Sequence, residues 1–397
     1  MVGKWHLGIN SFNSSDGAHL PIHRFDFVGS NIPYTLNYDC DDTGIFHKDK
    51  DGPNSQACFL YKGDQIVQQP IKFEKLTDYM LSDFKFFVTE NKKNPFFFFF
   101  SFPQTHVNLF ASKMFNGSSI RGYYGDSLNE MSAAVDEVLD FLKSEELDKN
   151  TLVIFLSDHG PHEQLCQLGG YTPFKGSKAS SWEGGFRIPA ITWWPGVIPE
   201  ASVSRAVVSS LDIVPTIMDL AGGKIPEDKV LDGESRKEQI LGTLDESNIR
   251  NDKRPIFFYC NTVLMAVRYG KYKVHYQVME QTGFDREEQC PGGVDIKDWY
   301  LLDECPEADL EPQDPPLVFD LETDPFEQYP IPNAKVKQTL LELSAIVYAH
   351  KSTMEMAPSF VGHWDNDIRP CCNPPICQCD LLKTVDENDN DKNREEL

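Results

Sequence analysis

Residues 151–160, TLVIFLSDHG, carry an apolar run that stops at Ser157 and passes at once into Asp158, His159 and Gly160. A short apolar run bounded by polar residues reads as a strand buried on both faces, the kind found in parallel sheets. In open α/β folds ligands collect beyond the carboxyl ends of such strands, so an Asp-His pair here is placed to hold a metal. The competing reading of the pair is a turn or a helix cap.

Upstream, Met131, Val135, Val138 and Leu142 recur at spacings of four, three and four, with Leu139 widening the stripe, which predicts an amphipathic helix. Leu76 to Lys92 reads as a second helix, with Tyr79, Phe84, Phe87 and Val88 on its apolar face, and a strand follows over Phe96 to Phe102. Downstream, a strand over Arg187 to Trp194 and a helix over Leu211 to Ala221 continue the alternation of an α/β domain. Residues 7–75, rich in Gly, Asn, Asp and Pro, read as long loops with short strands, of the sort that surround a site. After Gly242 the pattern changes to shorter strands, Ile256 to Tyr259, Thr262 to Arg268, Lys271 to Val278 and Leu317 to Leu321. A Tyr269-Gly270 turn makes a hairpin of two of them, and a helix is expected around Val336 to His350. The expected organisation is an α/β domain over 1–242 and a smaller C-terminal α+β domain with an antiparallel sheet over 243–381. A disordered acidic tail over 382–397 follows, ending in DENDNDKNREEL.

Against 37 basic side chains stand 61 acidic ones, a formal charge of −24, which argues against nucleic acid or an anionic membrane surface as the main partner. An anionic substrate must therefore meet a local basic pocket. The longest apolar run, PFFFFFSFP at 95–103, falls far short of the ~20 residues a membrane span requires. It reads as a buried strand, and no transmembrane anchor is expected.

Ten cysteines are many for a cytosolic enzyme, and Cys371, Cys372, Cys377 and Cys379 are packed into CCNPPICQC. Zinc would call for paired CxxC segments or histidines at ligand spacing, so disulfides are the preferred reading. Sequons at Asn13 (NSS) and Asn116 (NGS) fit the same secretory environment, lysosomal or extracellular. The opening MVGKWHLGIN is nevertheless no signal peptide. That conflict leads to the expectation that the natural N-terminus lies elsewhere.

Three further clusters carry chemistry. In Gly3-Lys4-Trp5-His6-Leu7-Gly8 a lysine and a histidine stand two apart, so in an extended chain both point the same way and could form an anion site. The bland alternative is a surface lysine and a capping histidine. Thr105-His106 lies just past the phenylalanine-rich strand, and Lys175-Gly176-Ser177-Lys178 followed by Trp182-Glu183-Gly184-Gly185 reads as a flexible basic loop able to cover an oxyanion. Taken singly, each could be structural.

Taken in order, GKWHLG at 3–8, QTH at 104–106, SDHG at 157–160 and KGSKASSWEGGFRIPAITWWPG at 175–196 resemble the successive signature segments of the sulfatase family. Downstream, LDIVPTIMDLAG, LDGES, AVRYGKYKVHY, PPLVFDLETDP and CCNPPICQC resemble its branch containing arylsulfatase A, N-acetylgalactosamine-6-sulfatase and steryl-sulfatase. The resemblance runs from residue 3 to about 380. It implies an alkaline-phosphatase-like fold, with a mixed, mostly parallel sheet flanked by helices. It also implies a calcium ion, and a formylglycine nucleophile made from the cysteine of a Cys-x-Pro-Ser-Arg motif.

By the same resemblance Asp158 and His159 would ligate calcium, His159 standing where Asn or Gln is more frequent. Lys4 and Lys178 would hold the sulfate and offset charge on the leaving oxygen, His106 would be the general acid and His6 the base. Thr35, in IPYT, matches a position where arylsulfatase A has a serine hydroxyl that would reach the sulfate. No Cys-x-Pro-Ser-Arg occurs in the 397 residues. In the family that motif and a pair of metal-binding aspartates lie upstream of the GKWH segment. The expectation is thus a sulfuric ester hydrolase whose nucleophile lies upstream of this chain, the chain alone being inactive. The pair of membrane helices that steryl-sulfatase carries between these segments is missing from residues 9–103. Sulfated sugars, glycolipids or small aryl esters are the expected substrates, and a homo-oligomer is left open. The alternatives are a non-catalytic relative that binds sulfated glycans, and a phosphatase or phosphodiesterase of the same superfamily.

Overall fold

The computed structural model describes residues 1–7, 21–33, 58–106, 109–279, 310–355 and 370–382. It divides into two compact units, Met1–Leu147 with Phe360–Leu397, and Asp148–Ser359. Thr35, Asn13 and the acidic tail from residue 383 lie outside the described residues.

In the first unit, strands β1 (Val2–Lys4), β2 (Ser30–Ile32), β3 (Leu60–Lys62), β4 (Gln65–Gln69), β5 (Phe100–Ser101) and the terminal β12 (Cys379–Asp380) form a mixed sheet in the order β12-β4-β3-β2-β1-β5. β1 pairs in parallel with β2, Gly3 opposite Asn31, and with β5, Gly3 opposite Ser101. The remaining pairs are antiparallel. Only Gly3 allows this approach, because its φ is +85° and an added Cβ would come within 1.7 Å of the Ser101 carbonyl oxygen.

Helix α1 (Leu76–Asn91) packs Leu76 and Met80 against Val2, Ile32, Leu60 and Val67 of this sheet. Its Asp83 is buried and accepts from both the backbone N–H and the hydroxyl of Ser30, each at 2.7 Å, while Lys62 pairs with the other oxygen. Helix α2 (Gly122–Ser144) buries Ser127, Glu130, Ala134 and Leu142. That face is rotated from the apolar stripe read in the sequence, Leu142 excepted. The cause is Glu130, whose carboxylate accepts from Thr77, Gln104 and the Ser112 N–H and so is drawn into the interior.

In the second unit, β6 (Val153–Leu156) pairs with β7 (Ala190–Trp193), Phe155 opposite Ile191, in an antiparallel ladder. The expectation of two strands buried on both faces is corrected here. β6 is half-buried and β7 partly exposed, because among the described residues each has the other as its sole strand neighbour. Helix α3 (Ile213–Leu220) follows them. β8 (Pro255–Cys260), β9 (Val263–Tyr269), β10 (Tyr272–Met279) and β11 (Leu310–Asp320) make a separate antiparallel sheet in the order β11-β10-β9-β8. The hairpin register Tyr272 to Tyr269 places the turn at Gly270, whose φ is +58°. Helix α4 (Lys337–Thr353) covers this sheet, with Leu343 packed on Leu264, Val267, Val274 and Val318.

Candidate functional site

In the first unit, β1 and β5 run side by side and parallel, so the residues just past them emerge at one edge. Lys4 ends β1 and His6 follows it, while His106 follows β5. The turn past β1 is held by β2, since Trp5 N–H donates to the Ile32 carbonyl at 2.9 Å and His6 N–H to the Pro33 carbonyl at 3.0 Å. His6 is exposed and has φ +53°. A non-glycine residue in that left-handed region carries backbone strain, which gathers at functional sites. The turn past β5 is held from beneath. Gln104 is buried and donates to the Thr77 hydroxyl at 2.8 Å and toward Glu130, and His106 N–H donates to the Pro103 carbonyl. One lysine and two imidazoles thus stand at the carboxyl edge of adjacent parallel strands, where α/β folds bind ligands.

In the second unit, Asp158 and His159 leave β6, and Lys178 sits in a loop that interlocks with theirs. Lys178 N–H donates to the Pro161 carbonyl at 2.9 Å, Gly160 N–H to Gly185 at 2.8 Å, and Gly184 N–H to Lys175 at 2.8 Å. Backbones approach so closely that side chains are excluded. A Cβ on Gly160 would lie 1.8 Å from the Gly184 carbonyl oxygen, and one on Gly184 2.1 Å from that of Gly176. Ala179, next to Lys178, has φ +71°, a second strained residue beside an expected site residue. The glycines of SDHG and WEGG are therefore required for these two loops to approach as they do.

Asp158 is 72% exposed at its side chain; its Oδ1 accepts from the His159 N–H at 3.0 Å, and its Oδ2 is 3.6 Å from His159 Nε2. His159 Nδ1 meets the Gly160 carbonyl at 2.7 Å. Among the described residues no group of three or more His, Cys, Asp and Glu side chains is gathered to hold a metal ion. Calcium takes about six to eight oxygen ligands. One carboxylate and one imidazole do not fit that ion by themselves.

Residues outside the expected set are also prominent. Behind the Lys178 loop, Glu183, Lys273, His275 and Glu327 are all buried, and Lys273 Nζ lies 2.9 Å from Glu183 Oε1. Their signal was present in the sequence: Lys273 and His275 stand two apart in a strand, so both point to one face. Asn116 is exposed, in a turn whose Gly117 and Ser119 N–H groups donate to Asp126. Cys371 is bonded to Cys377 and Cys372 to Cys379. Cys58 and Cys260 are also disulfide-bonded.

An α/β scaffold that sets a lysine and two imidazoles past its parallel strands carries groups suited to an anionic ester. Residues 1–223 match the family described as Sulfatase, and residues 251–380 the C-terminal region of aryl-sulfatase. The arylsulfatase of Hemicentrotus pulcherrimus is 41% identical over 386 residues, covering 96% of this chain and 68% of that protein. The steryl-sulfatase of Rattus norvegicus is 33% identical over 452 residues, covering 96% and 77%. Among solved structures, the PsFucS1 sulfatase from Pseudoalteromonas sp. superposes with a TM-score of 0.71 at 22% identity, over 90% of this chain and 71% of that one. The chain belongs to the sulfatase family, whose members are sulfuric ester hydrolases. Its mixed sheet with flanking helices and separate antiparallel sheet is the alkaline-phosphatase-like α/β fold expected of the family.

Proposed function

We propose that this chain supplies the sulfate-holding and proton-transferring residues of an arylsulfatase-type enzyme acting on sulfated sugars, glycolipids or aryl esters. The observation that supports it best is the parallel pairing of β1 with β5, which sets Lys4, His6 and His106 at one strand edge. Lys4 and Lys178 bind the sulfate group and offset the charge that grows on the departing oxygen, a fixed electrostatic contribution that needs no reorganisation. His106 donates a proton to the leaving alcohol, and His6 accepts one as sulfate is released. Thr35 adds a hydroxyl to the sulfate.

Formylglycine is the family's nucleophile, and no Cys-x-Pro-Ser-Arg is present in these 397 residues. The residues described here therefore assist a nucleophile that another segment must provide. Asp158 and His159 contribute ligands toward calcium, with the remaining oxygens likewise supplied from elsewhere. The disulfides at 371–379 and the exposed Asn116 sequon support a secretory route, lysosomal or extracellular, with a glycan on Asn116 and on Asn13. No described helix is long and apolar enough to cross a membrane. The domain limits follow the sequence reading, a catalytic region to about residue 242 and a C-terminal region after it.

Binding of inorganic sulfate to the purified chain, followed by calorimetry, tests the assignment. Lys178→Ala and Lys4→Ala should each weaken binding by about tenfold or more, the scale of a charge-assisted contact. Unchanged affinity in both variants contradicts it. The rival reading, a non-catalytic binder of sulfated glycans, predicts tight binding of sulfated oligosaccharides that persists when His106 is replaced, with no turnover in any form of the protein.

A further inference from the structure

Three consecutive residues of the loop that carries Lys178 are gripped by the C-terminal sheet region. Ser181 Oγ is 3.2 Å from His275 Nδ1, and the Trp182 ring lies on the His275 ring with centroids 4.2 Å apart. Glu183 N–H donates to Glu327 Oε2 at 2.6 Å, and its carboxylate takes the Lys273 ammonium at 2.9 Å. Glu327 Oε1 in turn accepts from His275 Nε2 at 2.7 Å and lies 3.5 Å from Lys273 Nζ. Lys273, His275 and Glu327 are each 0% exposed.

Burial favours the neutral imidazole, and a neutral ring can serve both contacts. Nε2 carries the proton given to Glu327, so Nδ1 accepts from the Ser181 hydroxyl. The order Ser181, His275, Glu327 has the form of a hydrolytic triad. Ser181 is 1% exposed, however, and cannot meet a substrate. The network must act through the backbone it holds. Buried ion pairs add little net stability compared with apolar packing, but apolar packing would leave the loop free to shift along its neighbours. Here the bonds end on a backbone N–H and a short side chain, which sets the loop in one register. From Glu183 the constraint passes through Gly184 N–H to Lys175, and through the Ser180 hydroxyl, which donates to the Ser177 carbonyl at 2.7 Å, into the turn containing Lys178.

We propose that Lys273, His275 and Glu327 are positioning residues for Lys178, the C-terminal sheet serving as the platform that presents this lysine to sulfate. The proposal rests on the reading of Lys178 as a sulfate-binding cation. Removing one member breaks the buried network that ends on the loop and lets the loop open, whereas the sheet itself stays packed through Val267, Val274, Val318 and Leu343.

The test uses the full 397-residue chain with its disulfides formed. Amide hydrogen exchange over 175–187 is compared with that over 122–144 in wild type, Glu327→Gln, Lys273→Met and the double variant. Each single variant should speed exchange by about tenfold in 175–187 alone. The double variant, which removes one charge of each sign, should regain melting temperature without regaining loop protection. Unaltered loop exchange in the single variants, or protection that recovers in step with melting temperature, overturns the proposal. If the single variants do not fold, Ser181→Ala carries the same expectation in the same direction. A second readout separates this from the sulfate reading. The Lys178 signal of the chain methylated with 13C is titrated with sodium sulfate, assignment being made with Lys178→Arg. No response in wild type defeats the reading of Lys178 and, with it, the presentation of that lysine to sulfate. A response whose midpoint is the same in Glu327→Gln defeats the positioning role alone, and a midpoint raised by about tenfold supports it.

Discussion

The backbone N–H of Lys178 donates to the carbonyl of Pro161 across 2.9 Å, so the loop carrying the basic residue is fastened to the one carrying Asp158 and His159. Two segments that stand apart in the sequence thereby become one backbone knot, and glycines make it possible. Gly160→Ala should break it, since the new methyl would meet the Gly184 carbonyl oxygen at 1.8 Å. The expected cost is about 1–3 kcal/mol of stability, in the range of overpacking a tight site. Thermal unfolding measures it, and a melting temperature equal to wild type would show that the loops can separate freely.

A second expectation concerns Glu130, which gathers Thr77, Gln104 and the Ser112 N–H beneath the turn that leads to His106. Glu130→Ala takes this acceptor from the Thr77 hydroxyl and the Ser112 N–H, at about 1–3 kcal/mol for a buried donor, while Gln104 keeps its bond to the Thr77 hydroxyl. Glu130→Gln keeps one acceptor oxygen and should cost less. Equal stability of the two variants, measured by denaturant unfolding, would contradict the assignment of Glu130 as their shared acceptor.

Acid should loosen the Lys178 loop before it unfolds the rest. Burial, the main cause, holds the His275 imidazole below its ordinary value of 6.5, with the Lys273 charge acting the same way against the Glu327 hydrogen bond. Burial opposes ionisation of Glu327, but its hydrogen bond from His275 and the Lys273 charge outweigh this and hold it below 4.5. Both groups bind fewer protons folded than unfolded, so stability rises with pH. The contribution is fully present above the unfolded values and is lost as pH falls, first below 6.5 for His275 and then below 4.5 for Glu327. His275→Gln should flatten the upper part of this profile. A melting temperature independent of pH from 7 to 4, spanning these values, would refute the burial of a neutral imidazole.

Much of this was legible in the sequence, for reasons that differ by residue. Helices α1 and α4 and the Gly270 hairpin follow from local periodicity and turn chemistry, which need no distant partner. Lys4, His6, His106 and Lys178 were singled out because motif order supplied what spacing could not. Glu130 and Glu183 were not read as site-supporting residues. A buried acid is recognisable only through partners far along the chain, here Gln104 for the one and Lys273 for the other. The twofold burial of β6 also failed. An apolar run states what a strand could cover, whereas its neighbours decide what is covered.

The cysteine pairs at the C-terminus close loops of 6 and 7 residues and sit where Gln69 donates to the Pro370 carbonyl and accepts from Cys372 N–H, both at 3.0 Å. Short loops confine little chain entropy, so replacing Cys371 and Cys377 together by serine should cost about 2 kcal/mol. The loss should be local, seen as faster proteolysis after residue 370 with strand β4 still protected. Global unfolding on loss of this pair would assign it a larger role than its loop size allows.

Turnover of a chromogenic aryl sulfate, with calcium present, tests the central claim most directly. It should be compared between the purified Met1–Leu397 chain and the same chain preceded by a segment bearing Cys-x-Pro-Ser-Arg and converted to formylglycine. The account predicts no measurable hydrolysis by the first and hydrolysis by the second. Loss of that activity should reach about 100-fold or more in Lys178→Ala and in His106→Ala, the scale of removing an electrostatic or general-acid contribution. Hydrolysis by the Met1–Leu397 chain alone, abolished by Lys178→Ala, would contradict it, because the nucleophile would then lie within these residues.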